Sequence, residues 1–331
     1  MVTTLAIVLA FWVRRRSTIN SRESILDPSQ ERIVILGAST TDGIGAAIAS
    51  RCLDRGAHRI MLVARRKQSL YEVKAALVAA QTTQSGRKRA EQIELVVANC
   101  SRNDDILHLE AAITHDFGGV DTLYIVFGAI CTQPMLAIAG LDPLIGATSP
   151  QVSAQSLLEV RKAVQQSSDA NLLGTALVLT ALVPRLQTNS KSPYVAIINS
   201  VAGLIAAPTR ALYCATKSAQ MMLVLGMALE CEAQAKVEGY SNVRFVVISP
   251  AAVQTSFNKR LSLGSDMGSK SARYPVGKAL TSEQVAIATV QSVADNKTGI
   301  IPLPHTYFYI WLLAPFLPGM LSRGAHKFYD Y

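Results

Sequence analysis

A single α/β domain, built as a doubly wound parallel sheet with helices on both faces, is the fold class this sequence predicts, and three observations predict it. Short apolar, β-branched runs alternate with longer segments of helical spacing, the pattern of parallel strands joined by helical crossovers. The first run passes directly into Gly37-Ala38-Ser39-Thr40-Thr41-Asp42-Gly43-Ile44-Gly45 and then a helix of small and apolar residues, which is the strand, glycine-rich turn and helix start of a Rossmann-type nucleotide unit. The chain has 331 residues, half of them hydrophobic, which suits one α/β domain of about 250 residues with a tail at each end.

In order, the chain divides into a short apolar anchor (1–16), a polar linker (17–31), the α/β domain (32–303) and an apolar aromatic tail (304–331). Val2 to Val13 is uncharged and is followed at once by Arg14, Arg15 and Arg16. At 1.5 Å per residue it reaches about 18 Å, short of the roughly 30 Å hydrocarbon core, so it reads as a short or interfacial anchor with arginines at the headgroups, the alternative being a start-codon artefact. Positive-inside logic then puts the domain on the cytoplasmic side of a membrane such as that of the endoplasmic reticulum. The tail segment 307–320, YFYIWLLAPFLPGM, is broken by Pro315 and Pro318 and suits a membrane interface better than a span. The net charge of +9 comes without an aromatic-interleaved basic stripe, so nucleic acid is not an expected partner; a membrane surface and cofactor phosphates account for it more simply.

Within the domain, strand 33–36 leads into the glycine turn, where Gly37, Ser39, Gly43, Ile44 and Gly45 are the candidate cofactor contacts. Glycines let the backbone approach a pyrophosphate, and the unpaired amides of the helix start favour its charge. Strand 60–64 ends at Arg65 and Arg66. An acidic residue there would bind a ribose 2′-hydroxyl; a guanidinium instead binds a 2′-phosphate, so NADP(H) is the expected cofactor. A helix at 68–81, an exposed polar loop at 82–89, a strand at 93–98, a helix at 104–117 and a strand at 122–127 follow. The apolar, Gly- and Pro-punctuated stretch 131–150 precedes helices at 151–166 and 171–186, and 299–303 reads as the last strand.

The chemistry concentrates in 194–220. A buried strand, 194–199, ends at Ser200, and a helix carrying Tyr213 and Lys217 follows a loop closed by Pro208. Four residues apart, the phenol and the ammonium share a helix face. A free phenol has a pKa of about 10, and an adjacent cation lowers it by favouring the phenolate. The bare spacing is weak: Tyr274 and Lys278 repeat it, but Pro275 and Gly277 between them argue for a loop. Ser200, thirteen residues before Tyr213, together with that pair resembles the active-site pattern of the short-chain dehydrogenase/reductase family, over roughly 32–303.

The resemblance implies further roles. Tyr213 is the proton donor, Lys217 lowers its pKa and binds the cofactor ribose, Ser200 holds the carbonyl oxygen, and Asn171, in Asn171-Leu172-Leu173-Gly174, holds a water that relays protons to the lysine. Asn99 stands where relatives carry an aspartate near the adenine, Gly128 is what remains of their Asn-Ala-Gly, and Pro250, Val253 and Thr255 match positions near the nicotinamide. The run Ala64-Arg65-Arg66 resembles the membrane-associated, NADP(H)-using branch. Five residues, where relatives have three, separate Gly37 from Gly43, and Ala251 replaces a glycine. Small and sulfur-bearing residues in 217–234 suit packing on a second copy, as in relatives, and 257–276 suits a substrate loop.

The expected activity is NADPH-dependent reduction of the carbonyl of a lipophilic ketone or aldehyde. The rivals are a sterol or retinoid alcohol dehydrogenase working in the oxidative direction, and a cofactor-binding sensor or scaffold with little catalysis. Five cysteines without a Cys-x-x-Cys pair and five histidines without metal spacing give no disulfide scaffold and no metal site; Cys52, Cys131 and Cys231 read as core residues. Asn99-Cys100-Ser101 and Asn296-Lys297-Thr298 match the glycosylation acceptor pattern, and no sugar is expected on a cytoplasmic domain.

Overall fold

The computed structural model of the chain describes residues 21–255, 262–263, 279–314 and 316. The N-terminal apolar run, the Tyr274/Lys278 repeat, most of the expected substrate loop and most of the tail lie outside the described residues.

Seven parallel strands form one sheet: β1 (Arg32–Leu36), β2 (Arg59–Ala64), β3 (Glu94–Val97), β4 (Thr122–Ile125), β5 (Tyr194–Ile198), β6 (Arg244–Pro250) and β7 (Gly299–Leu303). Their spatial order is β3-β2-β1-β4-β5-β6-β7. After β3 the chain returns to the other side of β1, so the strand order reverses between β1 and β4, the place where open parallel sheets bind ligands at their C-terminal ends. The runs are apolar almost throughout because both faces are covered. In β1, Ile33 and Ile35 face one core with α1 (Ile44–Asp54), α2 (Lys67–Ala80) and α8 (Ser282–Ala294). Val34 and Leu36 face the other, with α4 (Asn103–Ala111), α6 (Gly174–Asn189) and α7 (Ala211–Gln234). Alternation along a strand thus supplies both layers of the sandwich.

Three local expectations change. The stretch 82–89 is not a loop: α3 (Gln84–Glu91) forms there, with the Thr83 hydroxyl accepting the Gly86 amide at 3.0 Å. Only Gly86 and Ala90 are buried in it, so it carries no apolar periodicity to read. The helix expected over 104–117 changes winding after Ala111, where Ala112–Asp116 is a π-helical turn. The described part of the linker is docked: Arg22 is 3% exposed, pairs with Glu31, and donates to the carbonyls of Ser192 and Asp121 at the N-terminal edge of the sheet.

Among the described residues, two helical stretches, 154–189 and 211–234, are long and apolar enough to cross a membrane. The first contains α5 (Ala154–Ser168), a π-helical turn Asp169–Leu173 and α6; the second is α7. α6 and α7 supply buried residues to the second core, which accounts for their apolar character without a bilayer. The last described helix, α9 (Thr306–Leu313), starts just past the C-terminal end of β7 and buries none of its residues; Tyr309 is 65% exposed.

Candidate active site

A cleft of about 970 Å³ opens at the C-terminal ends of the strands, across the reversal point between β1 and β4. It gathers Gly37, Ser39, Gly43 and Ile44 from the first turn, Arg65 and Arg66 after β2, Asn99 after β3 and Gly128 after β4. Ser200, Tyr213, Lys217, Pro250, Val253 and Thr255 line it too. Of the sequence-predicted site residues, Gly45 and Asn171 do not line it.

The glycine turn follows from close backbone approach. Gly37 has φ +107°, and a Cβ there would stand 2.5 Å from the Phe127 amide nitrogen, at the end of β4. Gly37→Ala is therefore expected to cost roughly 1–3 kcal/mol of strain plus the separation of β1 from β4, read as a lowered melting temperature. Gly56→Ala is the control, because Gly56 shares a positive φ (+91°) but has nothing within 4 Å of its Cβ position. Gly45 is buried, with its Cβ position 3.0 Å from Ala38 Cα and the Gly37 carbonyl: it packs helix against turn and does not face the cleft. The two extra residues are taken up in a turn in which the Gly43 amide donates to the Thr40 carbonyl at 3.1 Å. The Ser282 hydroxyl at the start of α8 donates to the Asp42 carbonyl at 2.6 Å, so the extension leans away onto that helix. No side chain caps α1, which leaves its first-turn amides for an anion.

At the other end of the turn, Arg66 Nε donates to Ser69 Oγ at 3.0 Å, and a second nitrogen lies 3.5 Å from the Ser39 carbonyl. Arg102, which no sequence motif marks, adds a third guanidinium to those of Arg65 and Arg66 in the cleft lining. Asn99 spends its side-chain oxygen on the Ser101 amide at 3.2 Å, while its own amide donates to Asp105. The residues present fit NADP(H): glycines without Cβ atoms beside uncapped amides for a pyrophosphate, and arginines without an acid at the end of β2.

The end of the cleft that holds Ser200, Tyr213 and Lys217 is assembled by hydrogen bonds between the end of β5 and α7. Ser200 stands two residues past the strand; its oxygen accepts the Ala202 amide at 3.1 Å, which leaves its O–H to donate. Asn199 was not foreseen. Its Oδ1 accepts the Ser200 amide at 2.8 Å, and its Nδ2 donates to the Lys217 carbonyl at 2.9 Å, so it fixes the serine against the helix that carries Tyr213 and Lys217. Gly203 has to be glycine, since a Cβ would stand 2.4 Å from that Oδ1. Tyr213 and Lys217, one helical turn apart, both line the cleft. The lysine is 4% exposed, and burial pushes its pKa down to about 7.

The π-helical turn carries Asn171 inward, fully buried. Its Oδ1 accepts the Ala129 amide at 2.8 Å; its Nδ2 donates to the Ala129 carbonyl at 2.9 Å and to Thr216 Oγ1 at 3.0 Å. Both N–H groups are thus used, and a water linking it to Lys217 would have to donate to an Asn171 oxygen. A Cβ on Gly128 would stand 2.8 Å from Asn171 Oδ1 and 3.4 Å from Lys217 Nζ, which explains why glycine survives there. Phe127 lines the cleft and is partly buried: its ring packs against the second core beside Gly174, whose missing Cβ leaves it room at 3.2 Å.

The five cysteines are all buried and unbridged, and among the described residues no three His, Cys, Asp or Glu side chains converge as a metal site would require. Asn296 of the second acceptor pattern is 5% exposed and closes α8 at φ +58°, so it does not offer an exposed site for a sugar. The segment Ile130–Cys131 pairs with Ser262–Leu263, which brings that short described piece of the expected substrate loop to the edge of the cleft.

A family model described as short chain dehydrogenase matches residues 31–265. The dehydrogenase/reductase SDR family member 4 of Oryctolagus cuniculus is 28% identical over 236 residues, 71% of this chain and 75% of that protein. The mitochondrial dehydrogenase/reductase SDR family member 2 of Homo sapiens is 26% identical over 250 residues, 75% and 73% of the two chains. Among solved structures, an alcohol dehydrogenase from the archaeon Thermococcus sibiricus, complexed with 5-hydroxy-NADP, superposes with a TM-score of 0.59 at 19% identity, covering 82% of this chain and 95% of that one. At that identity the likeness speaks for the fold.

Proposed function

The chain belongs to the short-chain dehydrogenase family of oxidoreductases, and from that premise we propose that it is an NADPH-dependent reductase of a lipophilic ketone or aldehyde. One observation carries the reading: Ser200, Tyr213 and Lys217 line the same cleft as the glycine turn and the two arginines after β2. The glycine turn, the uncapped start of α1 and Arg65 and Arg66 would hold NADPH, which when bound would supply a hydride for the carbonyl carbon. The Tyr213 hydroxyl gives its proton to the carbonyl oxygen while the Ser200 O–H donates to the charge developing there. The Lys217 ammonium favours the phenolate left behind. Asn171 holds Ala129, and with it Gly128, against the lysine; any relay through it uses a water donating to an oxygen. Asn99, Pro250, Val253 and Thr255 line the same cleft and would border a dinucleotide bound there.

Arg65→Ala with Arg66→Ala is expected to weaken NADPH binding by about 10–100-fold and leave NADH binding within a factor of about three. Fluorescence titrations of both nucleotides measure this, and equal losses would refute the 2′-phosphate assignment. The activity itself is tested by following NADPH absorbance with a panel of hydrophobic ketones and aldehydes, and NADP⁺ with the matching alcohols. NADPH binding without turnover of any of them would leave a cofactor sensor as the better description.

The apolar α9, beside the mouth through the bond from the Ala251 amide to the Leu303 carbonyl (2.7 Å), and the uncharged run 2–13 before three arginines support placement at a membrane surface with the domain in the cytoplasm. Exposed Met222 and Leu229 on α7 suit a homodimer.

A further inference from the structure

We propose that Gln220 is the positioning residue for the lysine of this site: its side-chain oxygen anchors the Lys217 ammonium from the core side and holds one N–H of that cation toward the cleft. The inference deepens the reading of Lys217 as the cation acting on Tyr213.

Gln220 is fully buried, three residues beyond Lys217 on α7. Lys217 has three N–H donors. One goes to the Ile198 carbonyl at 3.2 Å, at the end of β5, and one to Gln220 Oε1 at 2.9 Å. The same Oε1 accepts from Asn199 Nδ2 at 3.0 Å. Gln220 Nε2 donates to Thr175 Oγ1 at 2.9 Å, and the Thr175 hydroxyl donates in turn to the Asn171 carbonyl at 2.8 Å. The direction of the amide is therefore fixed. Two donors meet its oxygen, and the threonine, whose proton is already committed, can only accept.

Glutamine suits this place because its oxygen is neutral. A carboxylate would hold the ammonium but cancel the charge that Tyr213 needs, and a hydrocarbon would leave the N–H groups of Lys217 and Asn199 unmet in dry surroundings. The groups around the ammonium are otherwise neutral: Asn171 and Thr216 from the helices, Asn199 and Ser200 from the strand end. Tyr213 on the same helix is titratable, and Arg210, Asp169, Cys100 and Cys131 stand elsewhere on or beside the cleft. Burial is what pushes the lysine's pKa down.

The test needs no substrate. With a folded pKa of about 7 and an unfolded one of about 10.4, the unfolded chain binds more protons between those values. This group therefore makes stability rise with pH across that window and adds no slope below it. Thermal unfolding from pH 6 to 10 is measured for wild type, Gln220→Glu, Gln220→Leu and, as the baseline without the amine, Lys217→Met. Relative to that baseline, the onset of the rise should move up by about one pH unit or more in Gln220→Glu and down in Gln220→Leu. If Gln220→Leu does not fold, the displacement in Gln220→Glu decides. A purely structural role predicts lower melting temperatures with the onset unmoved, and that result overturns the proposal. Because no turnover is involved, a failure here is distinct from the absence of carbonyl reduction. Where turnover is found, the alkaline limb of its pH profile should move in the same two directions.

Discussion

Tyr213→Phe is expected to lower turnover by about 10²–10⁴-fold while leaving NADPH affinity within a factor of about three. The substitution removes one hydroxyl and keeps the ring, so the packing of α7 on the sheet is preserved. What disappears is the proton for the carbonyl oxygen, one helical turn from an ammonium with few competing partners. Water in the cleft is a poorer donor, being neither oriented nor matched in pKa to the task. Single-turnover NADPH oxidation measures the chemical step and fluorescence titration the binding. Near-normal turnover would remove Tyr213 from the mechanism, and a parallel collapse of NADPH binding would give it a structural part instead.

The largest stability effect should come from the opposite edge of the sheet. Arg22→Ala is expected to cost about 3–5 kcal/mol, lowering the melting temperature by roughly 10 °C. Arg22 Nε and a terminal nitrogen both donate to the Ser192 carbonyl, at 3.0 and 2.7 Å, and the other contacts reach Asp121 and Glu31. The Glu31 carboxylate also accepts from the Thr122 hydroxyl, so one buried pair ties together the starts of β1, β4 and β5. Truncating the arginine leaves that carboxylate buried and unpaired. Arg22→Met with Glu31→Leu removes both charges and should recover most of the loss, since the penalty comes from the orphaned ion. Loss of less than about 1 kcal/mol in Arg22→Ala would show that 21–31 does not dock as described.

The strands were legible because sandwiching a sheet between two helical layers demands apolar residues at every position, and runs such as Tyr194–Ile198 carry that demand in the open. Arg22 was not legible for the mirror-image reason. Its neighbours Ser21 to Glu31 are polar, like a solvated linker, and a buried guanidinium becomes tolerable through Glu31 together with the carbonyls of Ser192 and Asp121, far along the chain. The helix Gln84–Glu91 escaped because a short, charged helix needs little more than a threonine cap and two small buried residues.

The candidate site divides along the same line. The sequence by itself determined the identity of the fold and of the chemical groups: the glycine turn after a strand, two arginines after the next, and Ser200, Tyr213 and Lys217 at a spacing that a strand end and one helical turn convert into proximity. Those are short-range relations, and strand and helix geometry alone fixes them. The tertiary structure decided which glycine faces the cleft and which packs, that Asn171 holds Ala129 with both amide protons, and that Asn199, Thr175 and Gln220 form the dry polar scaffold behind the lysine. These residues come from three separate elements. A hydrogen bond between groups distant in sequence leaves no periodic trace along the chain, because its direction and partners exist only once the strands and helices are packed.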